Sequence, residues 1–436
     1  MADDFELITR AGPGTPMGEL MRQYWIPAAL SKELQSDGTP VRILLLNEKL
    51  IAFRDTEGRV GIMDQRCPHR CASLFFGRNE EGGIRCVYHG WKFDVEGNCL
   101  DQLNIPERQH FKDRVHTKAY LTKEHNGVVW VYMGDRNKAP KDLPQFECLQ
   151  GPASNVQMRF VQRSCNWLQA VEGDLDTSHV GVLHFGFIKP TAGIEAERAD
   201  LTVNRAPEYK LHETKYGLHY GAHRPSPTVP GGTYWRQAHF LYPFWIMPPV
   251  ANLENNVMVR AFIPMDDTHC MFVGFESTSF MRQNDRSRTA RKDGDGAYLR
   301  DNLVPNESGW YGRYRMVESE ANDYLIDREE QKTKSYTGIE GIHTQDQCVT
   351  ESMGAIIDRS FENLAPSDIA VARNRRMLMN AVKAFQNGVR PPSADDPTVY
   401  ANARGGHYTT TANGDWIDLY REELDKLRTR PPEAAE

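Results

Sequence analysis

The chain lacks long apolar runs and a strong charge of either sign. None of the apolar stretches in its 436 residues approaches the roughly 20 residues that a membrane-spanning helix needs. Its first residues, Met1 to Glu6, are acidic and lack both the basic and the apolar region of a signal peptide. The net charge of −7 is mild, and there is no basic stripe of the kind that binds nucleic acid. We therefore expect a cytoplasmic protein with no membrane and no nucleic-acid partner.

Cysteine is scarce, and a dinucleotide-binding motif is missing. The eight cysteines are scattered, which argues against a disulfide framework and favours a reducing compartment. No glycine pattern of the kind that opens a Rossmann fold is present, so the chain has no predicted place for a nicotinamide or a flavin. Any electrons that the protein uses must therefore come from a partner.

What the chain does contain is a pair of short motifs that each supply one Cys and one His. Cys67 and His69 form the first pair, and Cys86 and His89 form the second. Two mixed pairs on two loops suit a [2Fe–2S] cluster in which two Cys bind one iron and two His bind the other. A Cys₂His₂ zinc site is the alternative, but zinc motifs usually pair like residues within one loop.

The pattern of short strands and turns predicts two structural units. Strand-like runs separated by turn residues extend from about residue 40 to about residue 135 and predict an all-β module around the Cys-His motifs. The segment Lys138–Pro144 resembles a linker. Beyond it, strand-like runs at Thr233–Leu241, Val257–Ile263 and Cys270–Phe275, with helices before and after them, predict an antiparallel sheet with helical insertions. The expected fold class is α+β.

A second candidate metal site follows the linker. The segment Asn166–Leu183 is predicted to be largely helical, and His179 and His184 lie five residues apart at its end. Two His and one distant carboxylate form the facial triad that binds Fe(II) and leaves a face open. Because five residues is not a same-face helical spacing, the helix must break near Gly181 for both imidazoles to converge. The spacing alone does not distinguish these from ordinary histidines, but an electron-carrying cluster needs an acceptor.

The two-loop motif followed by N-W-x₄-E-x₃-D-x₂-H-x₄-H resembles Rieske non-haem iron aromatic-ring oxygenases. Within that family the chain is similar to the oxygenase (alpha) component of the phthalate dioxygenase-like enzymes, along essentially its whole length. The resemblance implies a Rieske domain over residues 40–145 and a helix-grip catalytic domain over residues 146–436, with an N-terminal segment, 1–39, packed on the catalytic domain.

The resemblance also implies roles for individual residues. Asp176 matches the carboxylate that bridges the two metal sites, and Asn166 matches a polar residue near the iron. The third iron ligand is expected to be Asp346, with Asp358 as its rival. The remaining metal ligands are the four cluster ligands and the two iron imidazoles: Cys67, His69, Cys86 and His89, then His179 and His184.

The activity implied by the resemblance is hydroxylation, as a cis-dihydrodiol, of a small aromatic carboxylate such as phthalate or a (chloro)benzoate. O₂ is the co-substrate, and an NADH-dependent reductase with flavin and an iron–sulfur centre is the expected partner. The family's head-to-tail assembly implies a homotrimer or a stacked hexamer, since each cluster must meet the iron of the next chain. O-demethylation of a methoxylated aromatic acid uses the same metal ligands and stays open, as does a Rieske electron-transfer protein without oxygenase activity.

An aromatic carboxylate needs a cationic anchor, and arginine binds a carboxylate through two parallel hydrogen bonds. Arg205, on the strand-like segment Leu201–Ala206, is the predicted anchor, and Arg236 is a weaker candidate. Ser178, next to His179, is predicted to donate a further hydrogen bond to the substrate.

Overall fold

Two sheets of short strands form the N-terminal part of the computed structural model, which describes residues 2–186, 201, 203–278, 291–292, 298–299 and 302–429. Six strands form an antiparallel sheet in the order β1-β10-β9-β4-β3-β2, and four form a second sheet in the order β5-β6-β7-β8. Asn126 and Gly127 have positive φ and close the β9–β10 hairpin, as Asn-Gly pairs do in two-residue turns. The strands are β1 (Trp25–Leu30), β2 (Val41–Leu45), β3 (Glu48–Arg54), β4 (Val60–Asp64), β5 (Arg78–Glu80), β6 (Gly83–Arg85), β7 (Trp91–Phe93), β8 (Cys99–Gln102), β9 (Ala119–His125) and β10 (Val128–Tyr132).

A larger antiparallel sheet forms the C-terminal part. Its strand order is β11-β17-β16-β15-β14-β13-β12, and β20 pairs with β14. The strands predicted around residues 233, 257 and 270 are confirmed as β14, β16 and β17, and the fold class is α+β as expected. The strands are β11 (Val156–Arg163), β12 (Glu208–Glu213), β13 (Gly217–Pro225), β14 (Thr233–Leu241), β15 (Trp245–Met247), β16 (Met258–Pro264), β17 (Cys270–Ser277) and β20 (Gly406–Thr410), with a separate two-stranded ribbon of β18 (Arg291–Lys292) and β19 (Tyr298–Leu299).

The helices surround the larger sheet, and one of them crosses it. They are α1 (Ala2–Thr9), α2 (Pro16–Met21), α3 (Trp167–Leu175), α4 (Arg328–Thr333), α5 (Ile342–Ser352), α6 (Ile369–Gln386) and α7 (Trp416–Thr429). Helix α3 packs on β14, β15 and β16, and it also contacts α5. Gly173 makes that approach possible, because a Cβ atom there would lie 3.0 Å from Cγ2 of Thr350. No described helix combines the length and the apolar character that crossing a bilayer requires.

The N-terminal residues divide between the two parts of the molecule. Helices α1 and α2 contact α6, in the C-terminal part of the chain. Strand β1, however, pairs along its length with β10 and is almost entirely buried. Residues 25–30 therefore form part of the N-terminal sheet.

One continuous hydrophobic core joins the two parts. Trp130 of β10 and Trp245 of β15 lie with their ring centroids 6.0 Å apart, and Phe275 of β17 is 5.8 Å from Trp130. Because the sheets share this buried aromatic contact, the N-terminal module is held firmly against the C-terminal sheet. A second, smaller core lies under the loops that carry Cys67 and Cys86.

Candidate metal centres

Two loops of matching geometry, which we call the cluster loops, present one Cys and one His each. The first runs from Cys67 to Cys71 after β4, and the second runs from Cys86 to Gly90 between β6 and β7. In each loop the N–H group of the last residue donates to the carbonyl of the first, at 2.8 and 2.9 Å. Both of these donor residues have positive φ, 60° for Cys71 and 76° for Gly90. The two loops therefore repeat one ligand arrangement.

The cluster loops suit a buried metal group. Cys67 and Cys86 are 1% and 2% exposed, and burial raises the pKa of the Cys67 thiol to about 12. A bound metal is therefore required to keep that sulfur as a thiolate. The rings of His69 and His89 lie 4.4 Å apart. Nδ1 of His89 is buried and has no hydrogen-bond partner among the described residues, as expected of a nitrogen that binds a metal.

Helix α3 ends earlier than its sequence predicts. The helix was expected to continue to Leu183 with a break near Gly181, whereas the chain already leaves it at Asp176, whose backbone is extended (φ −74°, ψ 124°). The Asp176 carboxylate accepts hydrogen bonds from the N–H groups of Ser178 at 2.6 Å and His179 at 3.2 Å. This local side-chain turn competes with the helix and ends it. The break lets His179 and His184 face the same point.

Three ligand atoms converge at this point. Among the described residues, His179, His184 and Asp346 bring one ligand atom each within 4.8 Å of one another, and no other set of three such residues does so. Asp346 Oδ1 lies 3.6 Å from Nε2 of His179 and 3.3 Å from Nε2 of His184. The four ligands of the cluster loops are spread more widely, which fits two iron atoms and not a single zinc ion.

The charges around the triad favour a cation. Burial alone would raise the pKa of Asp346, but His184 and His179 lower it to about 2, so the carboxylate is ionised at neutral pH. Burial would likewise lower the pKa of His179, but its hydrogen bond to Asp176 and the charge of Asp346 raise it overall. Imidazole that holds a proton in this way releases it when a metal ion takes its place.

Gln345 determines which nitrogen of His184 faces the triad. The Gln345 amide Nε2 donates to the carbonyl of Ile339 at 2.7 Å. Since a carbonyl only accepts, the amide oxygen Oε1 must be the atom that faces Nδ1 of His184, at 2.7 Å. Nδ1 therefore carries the proton, and Nε2 presents its lone pair to the triad. The buried Gln345 amide thus selects the tautomer that can bind a metal.

A small cavity of about 100 Å³ opens beside the triad. Its charged lining, among the described residues, consists of three carboxylates and two guanidinium groups: Asp174, Asp176, Asp346, Arg236 and Arg260. Its apolar lining is Val180, Leu201, Pro248, Pro249, Val250 and Ile342. Arg236 is 4% exposed and makes no side-chain hydrogen bond or ion pair with any described residue, and its Nε is buried and unpartnered. An unpaired buried cation next to a cavity is a binding site for an anion.

Arg205 and Ser178, the predicted substrate-binding residues, are not among the described residues that line this cavity. Residues 204–207 form no strand. Arg205 is exposed, and its guanidinium group lies 5.2 Å from the ring centroid of Phe185. Ser178 donates from Oγ to Asp176 at 2.7 Å and so supports that carboxylate. The weaker sequence candidate, Arg236, lies on β14 and is the one that lines the cavity.

Asn166, predicted to lie near the iron, forms hydrogen bonds at the start of α3. It is 1% exposed and caps α3, accepting from the N–H group of Leu168 at 3.0 Å. Its amide donates to the carbonyls of Thr9 and Asp267 at 3.1 and 2.8 Å. These bonds attach α1 and the β16–β17 turn to the start of α3.

Asp358, the rival third ligand, does not join the histidines. It accepts from the N–H group of Ser360 at 2.9 Å in an exposed turn. Its neighbour Arg359 donates to the buried Glu172 at 2.9 Å.

Two family models match this chain, one in its N-terminal part and one in its C-terminal part. Residues 24–113 match the family model for the Rieske [2Fe-2S] domain, and residues 131–413 match the model described as LigXa C-terminal domain like. The 3-chlorobenzoate-3,4-dioxygenase oxygenase subunit of Comamonas testosteroni is 45% identical over 98% of this chain and 99% of its own length. The phthalate 4,5-dioxygenase oxygenase subunit of Pseudomonas putida is 34% identical over 94% of this chain and 93% of its own.

This chain is an oxygenase component of the Rieske non-haem iron oxygenase family. The fold agrees: dicamba monooxygenase superposes with a TM-score of 0.55 at 18% identity, covering 85% of this chain and 99% of that one. As a Rieske oxygenase the protein is an oxidoreductase with a [2Fe–2S] cluster and a mononuclear iron. As an oxygenase subunit of a multicomponent system, it takes electrons from a partner protein.

The roles of Gln345, Asp174 and Arg260 could not be predicted from the sequence. Gln345 directly precedes Asp346, but its role depends on the position of α5 beside His184. Asp174 pairs with Arg260, whose Nη1 donates to Oδ1 at 3.0 Å. Residues 86 positions apart can be matched only once the sheet has formed.

We expect the Gln345→Met substitution to weaken metal binding at the triad by about 10- to 100-fold, because His184 loses the acceptor that fixes its tautomer. Methionine keeps the length of the side chain without the hydrogen bonds. The measurement is a Co(II) titration of metal-free protein, followed by the visible absorption of the bound ion. Gln347→Met is the matched control: Gln347 is a buried glutamine of the same helix that donates to Glu351 at 2.9 Å. Equal losses in both variants would mean that α5 is merely destabilised.

Proposed function

We propose that this oxygenase hydroxylates a small aromatic carboxylate, such as a (chloro)benzoate or phthalate, to a cis-dihydrodiol. The observation that carries the proposal is Arg236, a buried guanidinium group without a described partner that lines the same cavity as the metal-binding side chains. The similarity to 3-chlorobenzoate and phthalate dioxygenase subunits supports the same substrate class. A 5,5'-dehydrodivanillate O-demethylase subunit is 28% identical over 91% of the chain, so the product analysis must include demethylation.

We assign the mononuclear iron to His179, His184 and Asp346, and the cluster to the Cys and His side chains of the cluster loops. When bound, these groups carry electrons to O₂ and activate it beside the substrate. Gln345 holds the proton of His184 on Nδ1, and Asp176 Oδ2 faces Nδ1 of His179 at 3.4 Å. Both imidazoles therefore present Nε2 to the metal.

The substrate would be held at two ends. Arg236 would bind its carboxylate through the guanidinium fork, and the apolar wall that includes Pro248 and Val250 would contact the aromatic ring. The carboxylate would thus orient the ring carbons toward the triad. The same anchor rejects neutral aromatic compounds, because Arg236 would stay buried without a partner.

The partner is expected to be an NADH-dependent reductase that carries flavin and an iron–sulfur centre. None of the eight cysteines forms a disulfide, which supports the reducing, cytoplasmic location expected from the sequence. The assembly is expected to be a head-to-tail trimer or two stacked trimers. Three exposed apolar side chains surround the tip of the cluster loops: Val87, Tyr88 and Leu103 at 59%, 54% and 65% exposure. Such a patch favours a protein partner.

Asp176 is the proposed joint between neighbouring chains. If Nδ1 of His89 binds the cluster, Nε2 is left to donate a hydrogen bond outward. Asp176 lies at the cavity with one oxygen toward His179. A carboxylate between the two imidazoles would link the cluster of one chain to the iron of the next.

The iron assignment predicts that Asp346→Ala loses the mononuclear iron and all turnover, because the triad is left with two neutral ligands. The visible absorption of the cluster should remain. Iron analysis combined with the absorption spectrum measures both. Asp358→Ala is the control and should keep its iron; loss of iron in that variant alone would contradict the assignment.

The anchor assignment predicts that Arg236→Met raises KM for 3-chlorobenzoate or uncouples O₂ uptake from product, at a cost of about 2–4 kcal/mol for a buried charge pair. The assay is O₂ uptake with a surrogate reductase, with products identified by mass spectrometry over benzoates, phthalates and methoxybenzoates. Arg205→Met, the exposed control, should behave as the wild type. If no aromatic carboxylate is turned over, the proposed function is wrong.

The assembly predicts that Asp176→Asn leaves both metal sites filled and the cluster reducible, yet slows electron transfer to the iron by orders of magnitude. The amide keeps the shape but can accept from only one of the two imidazoles. Stopped-flow reoxidation of the reduced cluster in a single turnover gives the rate, and light scattering gives the oligomeric state. A fully active monomer, or a normal transfer rate in Asp176→Asn, would rule out the bridge.

A further inference from the structure

The cavity contains two arginines in different electrostatic states. Arg236 lies on β14 and Arg260 on β16, and both line the cavity. Arg260 donates from Nη1 to both oxygens of Asp174, at 3.0 and 3.3 Å. The two side chains of this pair are only 7% and 9% exposed, so the pair is weakly screened by solvent. Arg236 has no such partner among the described residues.

The charges of the described lining can be counted group by group. Arg260 and Asp174 cancel each other. Asp176 and Asp346 together match the double positive charge of a ferrous ion at the triad. One positive charge, that of Arg236, remains for the substrate. The count takes the histidines as neutral ligands.

We propose that Asp174 is a specificity-determining residue that restricts the cavity to substrates with a single carboxylate. It does so by pairing with Arg260, which is the one guanidinium group besides Arg236 in the described lining. The inference rests on the proposed function, because it assumes that Arg236 binds a carboxylate. A second carboxylate on the substrate would face Arg260 only after displacing Asp174, which would then be a buried and unpaired anion. Of the substrates proposed above, benzoates therefore fit the charge of the cavity, whereas phthalates, which are dicarboxylates, would be excluded.

The test compares two ligands of nearly equal size that differ in charge. Isophthalate has two carboxylates, whereas in 3-carbamoylbenzoate a neutral amide replaces one of them. Binding to the iron-loaded wild-type enzyme is measured by anaerobic isothermal titration calorimetry. We expect 3-carbamoylbenzoate to bind at least tenfold more tightly than isophthalate.

The Asp174→Asn variant should reverse this preference. Freeing Arg260 should tighten isophthalate binding at least tenfold and change the affinity for 3-carbamoylbenzoate by less than threefold. Glu48→Gln is the matched control, since Glu48 forms a comparably buried pair with Arg22 outside the cavity, with side chains 10% and 5% exposed. The control should keep the wild-type ratio.

Each outcome decides the inference. Equal binding of the two ligands to the wild type overturns it even if Asp174→Asn does not fold. An unchanged ratio of the two affinities in a folded Asp174→Asn variant also overturns it. In that case the proposed function still stands, provided that Arg236→Met weakens the binding of both ligands. If no carboxylate binds to the wild type, or if Arg236→Met binds both ligands normally, the carboxylate anchor is wrong and the inference is overturned with it.

Discussion

The catalytic site depends on the hydrogen bond between the buried Gln345 amide and Nδ1 of His184. This contact joins two segments that are distant in sequence: the turn that follows α3, and the first turns of α5. Gln345 is held in turn by the Ile339 carbonyl, which leaves its oxygen as the only atom that can face the imidazole. Asp346, the next residue, is thereby carried to 3.3 Å from His184. One helix position thus sets both a ligand and the tautomer of another ligand.

The placement of α5 depends on close packing around it. Gly173 allows α3 to approach Thr350, and the Gln169 amide donates to the carbonyls of Thr350 and Gly354 at 2.9 and 2.8 Å. The far end of α5 is tied down by Glu351, which accepts from the Ser164 N–H group at 2.6 Å. Buried polar groups that are fully satisfied in this way hold a single arrangement. Rigid support matters here because metal ligands must converge within a few tenths of an ångström.

The two metal sites of one chain are joined through one hydrophobic core, but they lie in different surroundings. Trp130 and Trp245 fix the Rieske module against the catalytic sheet, while the cluster loops present exposed apolar side chains at their tip. None of the described residues that line the iron cavity comes from the Rieske module. In the proposed oligomer, the cluster loops of one chain would meet the cavity of the next and complete the electron path.

The sequence by itself determined the chemistry of the ligands and the α+β class, because these depend on residue types at short spacings and on local strand patterns. The Cys-His loops, His179 and His184 could be named in this way, and Asp346 was named through the family resemblance. Tertiary structure alone decided which polar residues serve the cavity: Asn166 caps a helix, Arg205 is exposed, and Arg236, Asp174 and Gln345 take the places near the triad. The reason is physical. Whether a guanidinium or a carboxylate is free or paired depends on neighbours tens to hundreds of residues away, and only the packed sheet and helices bring those neighbours together.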